Sequence, residues 1–386
     1  MKFCFYTNTI SPHQLPLARS LVARLGVENY RYIYLDELTP ERTRLGWGKI
    51  DEPWILPYGG EEARRWLEDA DVVMMQHPRD WDLFVRRLSK GMRCIYISER
   101  WFKPPAGMLR LAYPGYFRMA REFVREIMQS PHFLYFPDGI HAARDMAMLC
   151  GFINGDFRCL FRAPELECEK KPGGRFSIAT KGVNGKKKYC LDKMRMWGYF
   201  VEDGTGARRE KKELASPRVL WVGRLLNLKR VDTIVRAVGE AARFRRIDAS
   251  LAEISLDVYG AGPEEERLKK MAARYDGRVH FHPPVPIGEV RRLMRSHDIY
   301  VLSSNAFEGW GAVVNEAVEE GMRVIGTFEA GSSATMLPAS NLFHAGDWRS
   351  LARLLANPAK LADVDRDIWS VASAADALLG LCGGSR

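Results

Sequence analysis

Short apolar runs alternate with amphipathic segments along the first half of the chain. The apolar runs have the length and composition of strands that are buried on both faces. They cover residues 2–7, 31–35, 71–76 and 93–97. Residues 81–88 are predicted to be helical, and Ser11 followed by Pro12 predicts the start of an earlier helix. This alternation predicts a doubly wound α/β sheet, whose ligands bind at the carboxyl ends of its strands.

The second half shows the same pattern, most clearly around two glutamates. The run 298–302 predicts a buried strand, residues 312–320 predict a helix, and residues 322–327 predict the next strand. Glu308 lies at the junction between the first strand and the helix, and Glu316 lies about one turn further along. This βαβ unit therefore places two carboxylates near one ligand-binding edge.

The residues between the glutamates favour a ligand that contains phosphate. Gly309 and Gly311 allow the backbone to approach a ligand closely, and the helix start offers amide groups and a partial positive charge. One carboxylate can accept hydrogen bonds from the hydroxyl groups of a sugar, and the other from those of a ribose. The sequence therefore predicts a nucleotide-sugar site.

Four motifs in order resemble one family. Residues 304–317 resemble the E-x7-E motif of family 4 retaining glycosyltransferases (glycosyl transferases group 1), and residues 218–232 resemble that family's strand–GR–loop–K–helix segment. Residues 256–263 resemble the next strand and its glycine turn, and residues 279–285 resemble the strand and loop that pass the nucleobase. The resemblance is strong over residues 216–330 and only topological over residues 1–200.

The resemblance implies roles for individual residues. The family's Arg and Lys bind the donor diphosphate, which implies this role for Arg224 and Lys229, whereas Glu316 would bind the ribose and Glu308 would position the donor sugar. The alternative for the two cations is a solvated basic face at a helix start, a position that disfavours cations. The predicted catalytic residues are Glu308, Arg224, Lys229 and His77. The predicted donor-binding residues are Gly223, Arg224, Lys229, Pro284, Val285, Glu308, Gly309, Trp310, Gly311, Ala312 and Glu316. Retention of anomeric configuration and independence of metal and cofactor are also implied.

The implied fold is GT-B, in which two Rossmann-like domains face each other across a cleft. We expect an acceptor-binding domain over residues 1–200, a nucleotide-sugar-binding domain over 201–365, and a carboxyl-terminal helix in 366–386 that returns to the first domain. Residues 203–216 are the predicted linker. Residues 164–188, rich in Lys, Gly and Pro, are predicted to be an irregular loop that faces the acceptor.

Candidates in the first domain follow its predicted strands. His77 is expected to contact the donor sugar or the acceptor, unless it is an ordinary loop histidine. His13 either faces the cleft or covers a helix start. Glu99 and Arg100 either bind the acceptor or form a salt bridge with each other, and His141 is a fainter acceptor-side candidate.

Charge and composition limit the partners. The net charge is +10; residues 1–200 carry 32 Lys and Arg against 23 Asp and Glu, and the remainder carries 26 against 25. The basic first half fits an anionic acceptor, an anionic membrane surface or simply a soluble basic domain, and no nucleic-acid-binding motif accompanies it. No apolar run reaches the roughly 20 residues of a membrane span, and no secretory signal is recognisable. Seven scattered cysteines favour a reduced cytoplasmic setting, with the inner face of the membrane as a further expectation.

Two weaker motifs do not change this interpretation. Asp69 and Asp71 match a metal-binding DxD pattern, but they precede a strand instead of following one. The turn at Gly260 and Gly262 lacks the third glycine of a dinucleotide fingerprint and is followed by acidic residues 264–266, which excludes NAD at this position. We therefore expect sugar transfer from a nucleoside-diphosphate sugar to a glycan or lipid-linked acceptor. The alternatives are a regulatory protein that binds nucleotide-sugar without transfer, and a nucleotide-sugar 2-epimerase of GT-B fold.

Overall fold

The structure is a computed structural model. It describes residues 1–39, 50–76, 81–171, 175–180, 187–204, 216–247, 253–275, 277–366 and 370–383. The chain divides into two compact units. The described part of unit 1 lies within residues 1–201 and 370–383, and that of unit 2 lies within residues 202–366.

Unit 1 contains a six-stranded parallel sheet with strand order β3-β2-β1-β4-β5-β6. The strands are β1 (Phe3–Thr7), β2 (Tyr30–Tyr34), β3 (Ile55–Pro57), β4 (Val72–Gln76), β5 (Arg93–Ser98) and β6 (Phe133–Pro137). Every residue of β1 and β4 is buried, as expected for central strands that are covered on both faces. The apolar runs of the sequence therefore predicted the centre of this sheet.

The helices of unit 1 lie between these strands. They are α1 (Leu15–Leu25), α2 (Glu61–Asp69), α3 (Trp81–Ser89), α4 (Pro114–Glu122), which continues into a π-helical turn at Phe123–Ile127, and α5 (Ile140–Ile153). The helix start predicted at Ser11 is wrong, because Ser11 begins a turn in which its carbonyl accepts a hydrogen bond from the Gln14 amide at 3.0 Å. The helix begins after that turn, with Pro16 in its first two positions.

The predicted irregular loop at 164–188 is also wrong in part. An antiparallel ladder joins β7 (Leu166–Lys171) to β8 (Arg175–Thr180). Leu166 and Ile178 are buried. Apolar residues therefore recur on one face of the ribbon, which is the period-two pattern of a strand. The prediction of a loop was based instead on the high Lys, Gly and Pro content of this segment.

Unit 2 contains a second six-stranded parallel sheet, with strand order β11-β10-β9-β12-β13-β14. Its strands are β9 (Arg218–Val222), β10 (Ser255–Tyr259), β11 (Val279–His282), β12 (Ile299–Leu302), β13 (Arg323–Thr327) and β14 (Leu342–Phe343). Its helices are α6 (Val231–Ile247), α7 (Glu265–Ala272), α8 (Ile287–Ser296), α9 (Val313–Glu319), α10 (Gly331–Met336) and α11 (Trp348–Ala356). Fully buried residues such as Val219, Val235 and Leu351 join the sheet to α6 and α11 in one apolar core.

A buried carboxylate connects several elements of unit 2. Asp257 of β10 lies 2.8 Å from Nε2 of His282, 3.0 Å from Nη2 of Arg218 and 3.0 Å from Nε2 of His297. Burial alone would raise the pKa of Asp257, but the hydrogen bonds from His282, Arg218 and His297 outweigh it and lower the pKa from its usual 3.8 to about 2. The charged carboxylate therefore holds β9, β10, β11 and the turn before β12 together.

A carboxyl-terminal helix, α12 (Val371–Gly383), belongs to unit 1 and packs on α1. Leu378 is fully buried, and Arg24 of α1 forms an ion pair with Asp376 at 3.0 Å. Among the residues that the structure describes, no helix combines the length and the apolar composition that a bilayer crossing needs.

Candidate functional site

Three neighbouring strands of unit 2 bring the predicted donor-binding residues to one edge. Strands β9, β12 and β13 are adjacent and parallel, so the loops that follow them leave the sheet on the same side. These loops contain Arg224 and Lys229 after β9, and Glu308 after β12. The carboxyl edge of a parallel sheet is where ligands bind in this architecture.

Hydrogen bonds hold the loop after β12 against the loop after β9. The Asn305 amide donates to the Leu228 carbonyl at 2.9 Å, and the Ser303 hydroxyl donates to the Lys229 carbonyl at 2.6 Å. The ammonium of Lys229 lies 2.5 Å from Oε2 of Glu308. Because both backbone and side-chain contacts fix this pair of loops, Lys229 and Glu308 keep a defined separation.

Glu308 is a held carboxylate in this site. The Ser304 hydroxyl donates to its Oε2 at 2.7 Å, the same oxygen that contacts Lys229. The side chains of Glu308 and Lys229 are only 13% and 24% exposed, so water screens this ion pair weakly. A carboxylate held in this way can orient a hydroxyl-bearing ligand, and the lysine can attract an anionic one.

The first turn of α10 supports the glycine turn. The Ser332 amide donates to the Trp310 carbonyl at 2.8 Å, and the Ser332 hydroxyl donates to the Gly311 carbonyl at 2.9 Å. Gly311 has a φ of +86°, and a Cβ there would lie 3.0 Å from Cδ2 of Leu302. Glycine is therefore required both by the backbone conformation and by the close approach of the strand.

Trp310 has its indole ring in the interior. The ring is buried, and its Nε1 donates to Oδ1 of Asn315 at 2.7 Å. The ring anchors the turn to the first residues of α9. We infer that Trp310 can offer a ligand its backbone but not its ring.

Glu316 lies inside α9, eight residues after Glu308. It is buried, and burial raises its pKa from the usual 4.5 to about 7; Arg291 lowers the pKa and Glu320 raises it. The neighbouring Glu320 forms ion pairs with Arg291 at 2.6 Å and with Arg295 at 3.2 Å. Glu316 is thus a carboxyl group in a low-dielectric site, where hydroxyl donors would stabilise its charged form.

The remaining donor-site candidates lie on the same edge. Arg224 is exposed directly after Gly223, at the end of β9. The turn after β10 fits closely here, since a Cβ on Gly260 would lie 1.9 Å from the Gly223 carbonyl oxygen. Pro284, which is exposed, and Val285, which is half-buried, follow β11 at the far side of β10.

Unit 1 has a separate pocket at the carboxyl ends of its strands. The pocket is small and partly open to solvent, and its polar lining residues are His13, Gln14, Gln76, Asp138 and Tyr199. Burial lowers the pKa of His13 from 6.5 to about 4, so the imidazole is neutral at pH 7. The His13 ring contacts the ring of Tyr199 edge-on, with 6.4 Å between the centroids.

Asp138 is the notable group in this pocket. Its side chain is buried, and Oδ2 has no hydrogen-bond partner among the described residues. Burial first, and then the nearby Glu99, raise the pKa of Asp138 well above its usual range, whereas Lys103 lowers it. Asp138, directly after β6, therefore binds its proton more tightly than an exposed aspartate does, and in its protonated form it could donate a hydrogen bond to a ligand that enters the pocket.

The other candidates of unit 1 are placed as follows. Glu99 forms an ion pair with Lys103, and Arg100 forms one with Asp145 through Nε and Nη2, each at 3.2 Å. Glu99 and Arg100 therefore do not pair with each other, as one of the two interpretations had expected; each forms an ion pair with a different residue. His141 lies in the first turn of α5, and His77 lies outside the described residues.

Sequence reasoning missed several contributors to both sites. Ser303 and Ser304 follow β12 directly, and polar residues at that position were the available signal. Asp138 directly follows an apolar run, 133–137, that had not been identified as a strand. Asp71 of the DxD pattern accepts a hydrogen bond from the Lys2 amide at 2.7 Å, which agrees with a structural turn.

Comparison with known families identifies the domain in unit 2. Residues 206–362, less than half of the chain, match the family described as Glycosyl transferases group 1. Similar curated proteins include the UDP-N-acetylglucosamine–peptide N-acetylglucosaminyltransferase GtfA subunit of Streptococcus pneumoniae serotype 4 (strain ATCC BAA-334 / TIGR4), 26% identical over 132 residues, which are 32% of this chain and 25% of that protein. The protein of the same description from Streptococcus agalactiae is 26% identical over 131 residues, 33% of this chain and 24% of its own. The match thus spans about a quarter of the length of these relatives.

Solved structures show the same fold over the whole chain. Anabaena Alr3699/HepE in complex with UDP and glucose has a TM-score of 0.52 and 12% identity, with 99% of this chain and 95% of that chain covered. The lipopolysaccharide outer core galactosyltransferase WaaB has a TM-score of 0.58 and 13% identity, and trehalose-6-phosphate synthase OtsA has a TM-score of 0.58 and 9% identity; each covers 100% of both chains. The predicted GT-B fold class, with its two parallel α/β sheets, is confirmed. Together with the family match, the fold supports a GT-B glycosyltransferase.

Proposed function

We propose that the protein is a retaining, metal-independent glycosyltransferase that moves a sugar from a nucleoside-diphosphate sugar to a glycan or lipid-linked acceptor. The proposal rests mainly on the geometry at the carboxyl edge of the sheet in unit 2. There Nζ of Lys229 lies 2.5 Å from Oε2 of Glu308, and the helix that follows contains Glu316. Paired cations suit a diphosphate, and paired carboxyl groups suit two sets of hydroxyls. Retention rests on the resemblance of the E-x7-E pattern.

The donor would bind to charged and hydrogen-bonding groups whose positions the fold of unit 2 already fixes. Departure of the diphosphate develops negative charge, which the cations of Arg224 and Lys229 would stabilise in the place of a metal ion. A bound diphosphate would compete with Glu308 for the ammonium of Lys229. Glu308, still hydrogen-bonded to Ser304, would then be available to the hydroxyls of the donor sugar.

The remaining donor contacts follow from the same geometry. Glu316 would accept hydrogen bonds from the ribose, which would favour its charged form in the buried site. The amides of Gly309, Trp310, Gly311 and Ala312 would contact the sugar and phosphates. We place the base beside Pro284 and Val285. The names of the relatives, with UDP-N-acetylglucosamine and bound UDP, make UDP-sugars the first donors to test.

For the acceptor, we propose the carboxyl edge of unit 1. The pocket lined by His13, Gln76 and Asp138 offers hydrogen-bonding groups, which suit the hydroxyls of a glycan. His141, Glu99 and Arg100 stay candidates for the same acceptor, although Glu99 and Arg100 already have ion-pair partners.

A donor panel tests the proposal. UDP-, GDP- and ADP-sugars are assayed for binding by calorimetry and for slow hydrolysis, first with the wild type. We expect Glu316→Ala to weaken nucleotide binding and Arg224→Ala to lower turnover at least tenfold. Arg292→Ala is the matched control, because Arg292 is an exposed cation of unit 2 that pairs only with Glu289 among the described residues.

The outcomes separate the rival functions. Unchanged kinetics in both site variants would contradict the site assignment. Binding without turnover on any acceptor, including a lipid-linked one, would indicate a regulatory nucleotide-sugar-binding protein. Release of an epimerised sugar without acceptor would indicate a 2-epimerase, for which Glu99 would be the acid/base candidate in unit 1.

A further inference from the structure

Unit 1 exposes a group of large apolar side chains far from the donor-site loops in sequence. Leu109, Tyr113, Phe157 and Phe161 are 77%, 72%, 67% and 91% exposed. They are the four most exposed large apolar residues in the described part of the chain. Single exposed apolar residues are ordinary, but four that come from neighbouring elements require an explanation.

Ring contacts link Phe157 to Phe117 of α4, and Tyr113 and Phe161 lie about one turn from these residues along the chain. The Phe117 amide, one turn into α4, donates to the Tyr113 carbonyl at 3.0 Å. The Phe117 ring contacts the ring of Phe152 at 6.4 Å, and the Phe152 ring contacts that of Phe157 at 5.9 Å. Phe161 follows one turn later, with its amide 3.0 Å from the Arg158 carbonyl. We call this surface the apolar patch; it comprises Leu109, Tyr113, Phe117, Phe152, Phe157 and Phe161.

Exposed arginines outnumber exposed acidic residues along the elements that carry the apolar patch. Over residues 109–162, the exposed basic residues are Arg110, Arg118, Arg121, Arg125, Arg158 and Arg162, whereas the exposed acidic residues are Glu122 and Glu126. Arg158 pairs with Asp156 and Arg162 pairs with Glu165. Within the described residues, Arg118 and Arg121 of α4 have no ion-pair partner, so their charge faces outward. Arg125 donates to the Ile153 carbonyl at 2.9 Å, which places this side of α4 beside the end of α5.

We propose that the apolar patch and its arginines dock on the surface of an anionic lipid bilayer. Aromatic side chains that project singly can enter the boundary between headgroups and acyl chains without a shaped partner surface. Arginines beside them meet the phosphates and anionic headgroups of the same surface. The exposed charge is mostly of one sign, as an anionic surface requires. The proposal does not depend on the proposed function, because it concerns elements of unit 1 alone.

Vesicle flotation of the full chain tests the docking. Vesicles of phosphatidylcholine alone and of phosphatidylcholine with 30% phosphatidylglycerol are compared at about 0.1 M salt, where the Debye length is about 10 Å. We expect the wild type to bind the anionic vesicles at least tenfold more strongly than the neutral ones. The double variant Phe157→Ser with Phe161→Ser should lose at least tenfold in binding to the anionic vesicles. Both side chains are mostly exposed, so the fold should persist.

Matched variants identify the surface. Val85→Ser removes an exposed apolar side chain of α3 in the same unit, and this variant should bind like the wild type. Arg118→Glu with Arg121→Glu should abolish the preference for anionic vesicles, whereas Arg64→Glu with Arg65→Glu on α2 should reduce binding less than threefold. Donor hydrolysis without vesicles should be unchanged in all variants.

Three results would overturn the proposal. The first is a wild type that does not float with anionic vesicles. The second is equal loss of binding in the patch variants and in their controls. The third is intact vesicle binding in the patch variants. The apolar patch would then not be the lipid-binding surface, and a protein partner would be its expected ligand. Because no donor is added, failure here is distinct from failure of the nucleotide-sugar assignment.

Discussion

Glu316 shows how burial alone changes the chemistry of a residue. Its carboxyl group lies inside α9, where burial raises the pKa to about 7. In the unfolded chain the same group titrates near its usual 4.5. The folded protein therefore binds a proton more tightly than the unfolded chain does. By linkage, ionisation of Glu316 lowers the free energy of unfolding as pH rises from about 4.5 to about 7.

Replacing this carboxyl by an amide should remove the free-energy cost of holding a charged carboxylate in the buried site. We expect Glu316→Gln to be more stable than the wild type at pH 8 by roughly 1–3 kcal/mol, since one pKa unit corresponds to about 1.4 kcal/mol. The difference should shrink as pH falls through this window and vanish near pH 4, where both states are protonated. Urea unfolding at pH 4, 6 and 8, with hydrogen-exchange pulse labelling of unit 2 peptides, measures it.

Glu266→Gln is the control, because Glu266 is exposed on α7 and water hydrates its carboxylate in both states. A stability difference for Glu316→Gln that is the same at pH 4 and pH 8 would contradict the buried, ionisable role of Glu316. The Gln variant should also bind nucleotide more weakly if the ribose needs a carboxylate. The gain in stability and the loss of nucleotide binding would then both come from removal of the same negative charge.

At the residue level, the sequence was sufficient where spacing carried the information. Glu308 was singled out because it follows a predicted strand, and Lys229 through the family resemblance; the structure places their charged atoms 2.5 Å apart. The hidden orientation of the Trp310 ring could not be predicted, since it depends on Asn315 five residues later. Asp138 was missed as a site residue because burial, not spacing, raises the pKa of its carboxyl group.

Among the elements, the turn between β12 and α9 depends most on backbone conformation. Gly311 occupies a left-handed conformation with φ of +86°, and Ser332 and Leu302 approach within 3.2 Å and 3.0 Å of the position of a Cβ. A side chain would therefore strain the backbone and displace one of these neighbours. The displaced element would be the loop that carries Glu308.

Gly311→Ala should destabilise unit 2 by roughly 1–3 kcal/mol, the usual cost of a strained residue. Gly288→Ala on α8 is the matched control, because nothing lies within 4 Å of its Cβ position and alanine favours a helix by up to about 1 kcal/mol. Hydrogen exchange of peptides from β12 and α9 measures the change. Equal protection in Gly311→Ala and the wild type would show that the turn tolerates a Cβ and is not fixed as described.

The ribbon of β7 and β8 shows the limit of prediction for elements. Composition suggested a loop, yet Leu166 and Ile178 alternate with polar residues and are buried. The strands of the two large sheets were easier to recognise, because their burial on both faces gives continuous apolar runs. Short strands such as β3, with three residues, lack such a run and were not predicted.

For the whole molecule, chain order does not coincide with spatial order. Unit 1 includes α12, which follows all of unit 2 in the sequence. The carboxyl-terminal helix was expected within residues 366–386, and the observed helix is Val371–Gly383. Its apolar spacing could be recognised in the sequence, but its return to the first domain was implied only by the family resemblance, and its packing on α1 was not predicted. The guanidinium of Arg93, the first residue of β5, donates to the Leu381 carbonyl and so joins this helix to the sheet edge as well.

A chain that ends at residue 366 should lose stability in unit 1 alone. Removal of α12 would expose the face of α1 that covers Leu378, and full burial of one leucine side chain contributes about 1.5–3 kcal/mol. We expect amide protection in β1 and α1 to fall at least tenfold, while β9 and β12 of unit 2 change less than threefold. Hydrogen exchange of the full-length and truncated chains, under the same conditions, makes this comparison within one molecule.

Two point variants separate packing from charge in this effect. Leu378→Asp should reproduce the truncation, because it places a charge at a fully buried position. Asp376→Ala removes only the ion pair with Arg24, in which the Asp376 side chain is 67% exposed, and should have little effect because surface pairs contribute little. Equal loss of protection in both units would instead mean that they unfold as one cooperative body. Unchanged protection in unit 1 would mean that α12 is not part of its stable core. The stable core of unit 1 would then consist only of elements that precede unit 2 in the sequence.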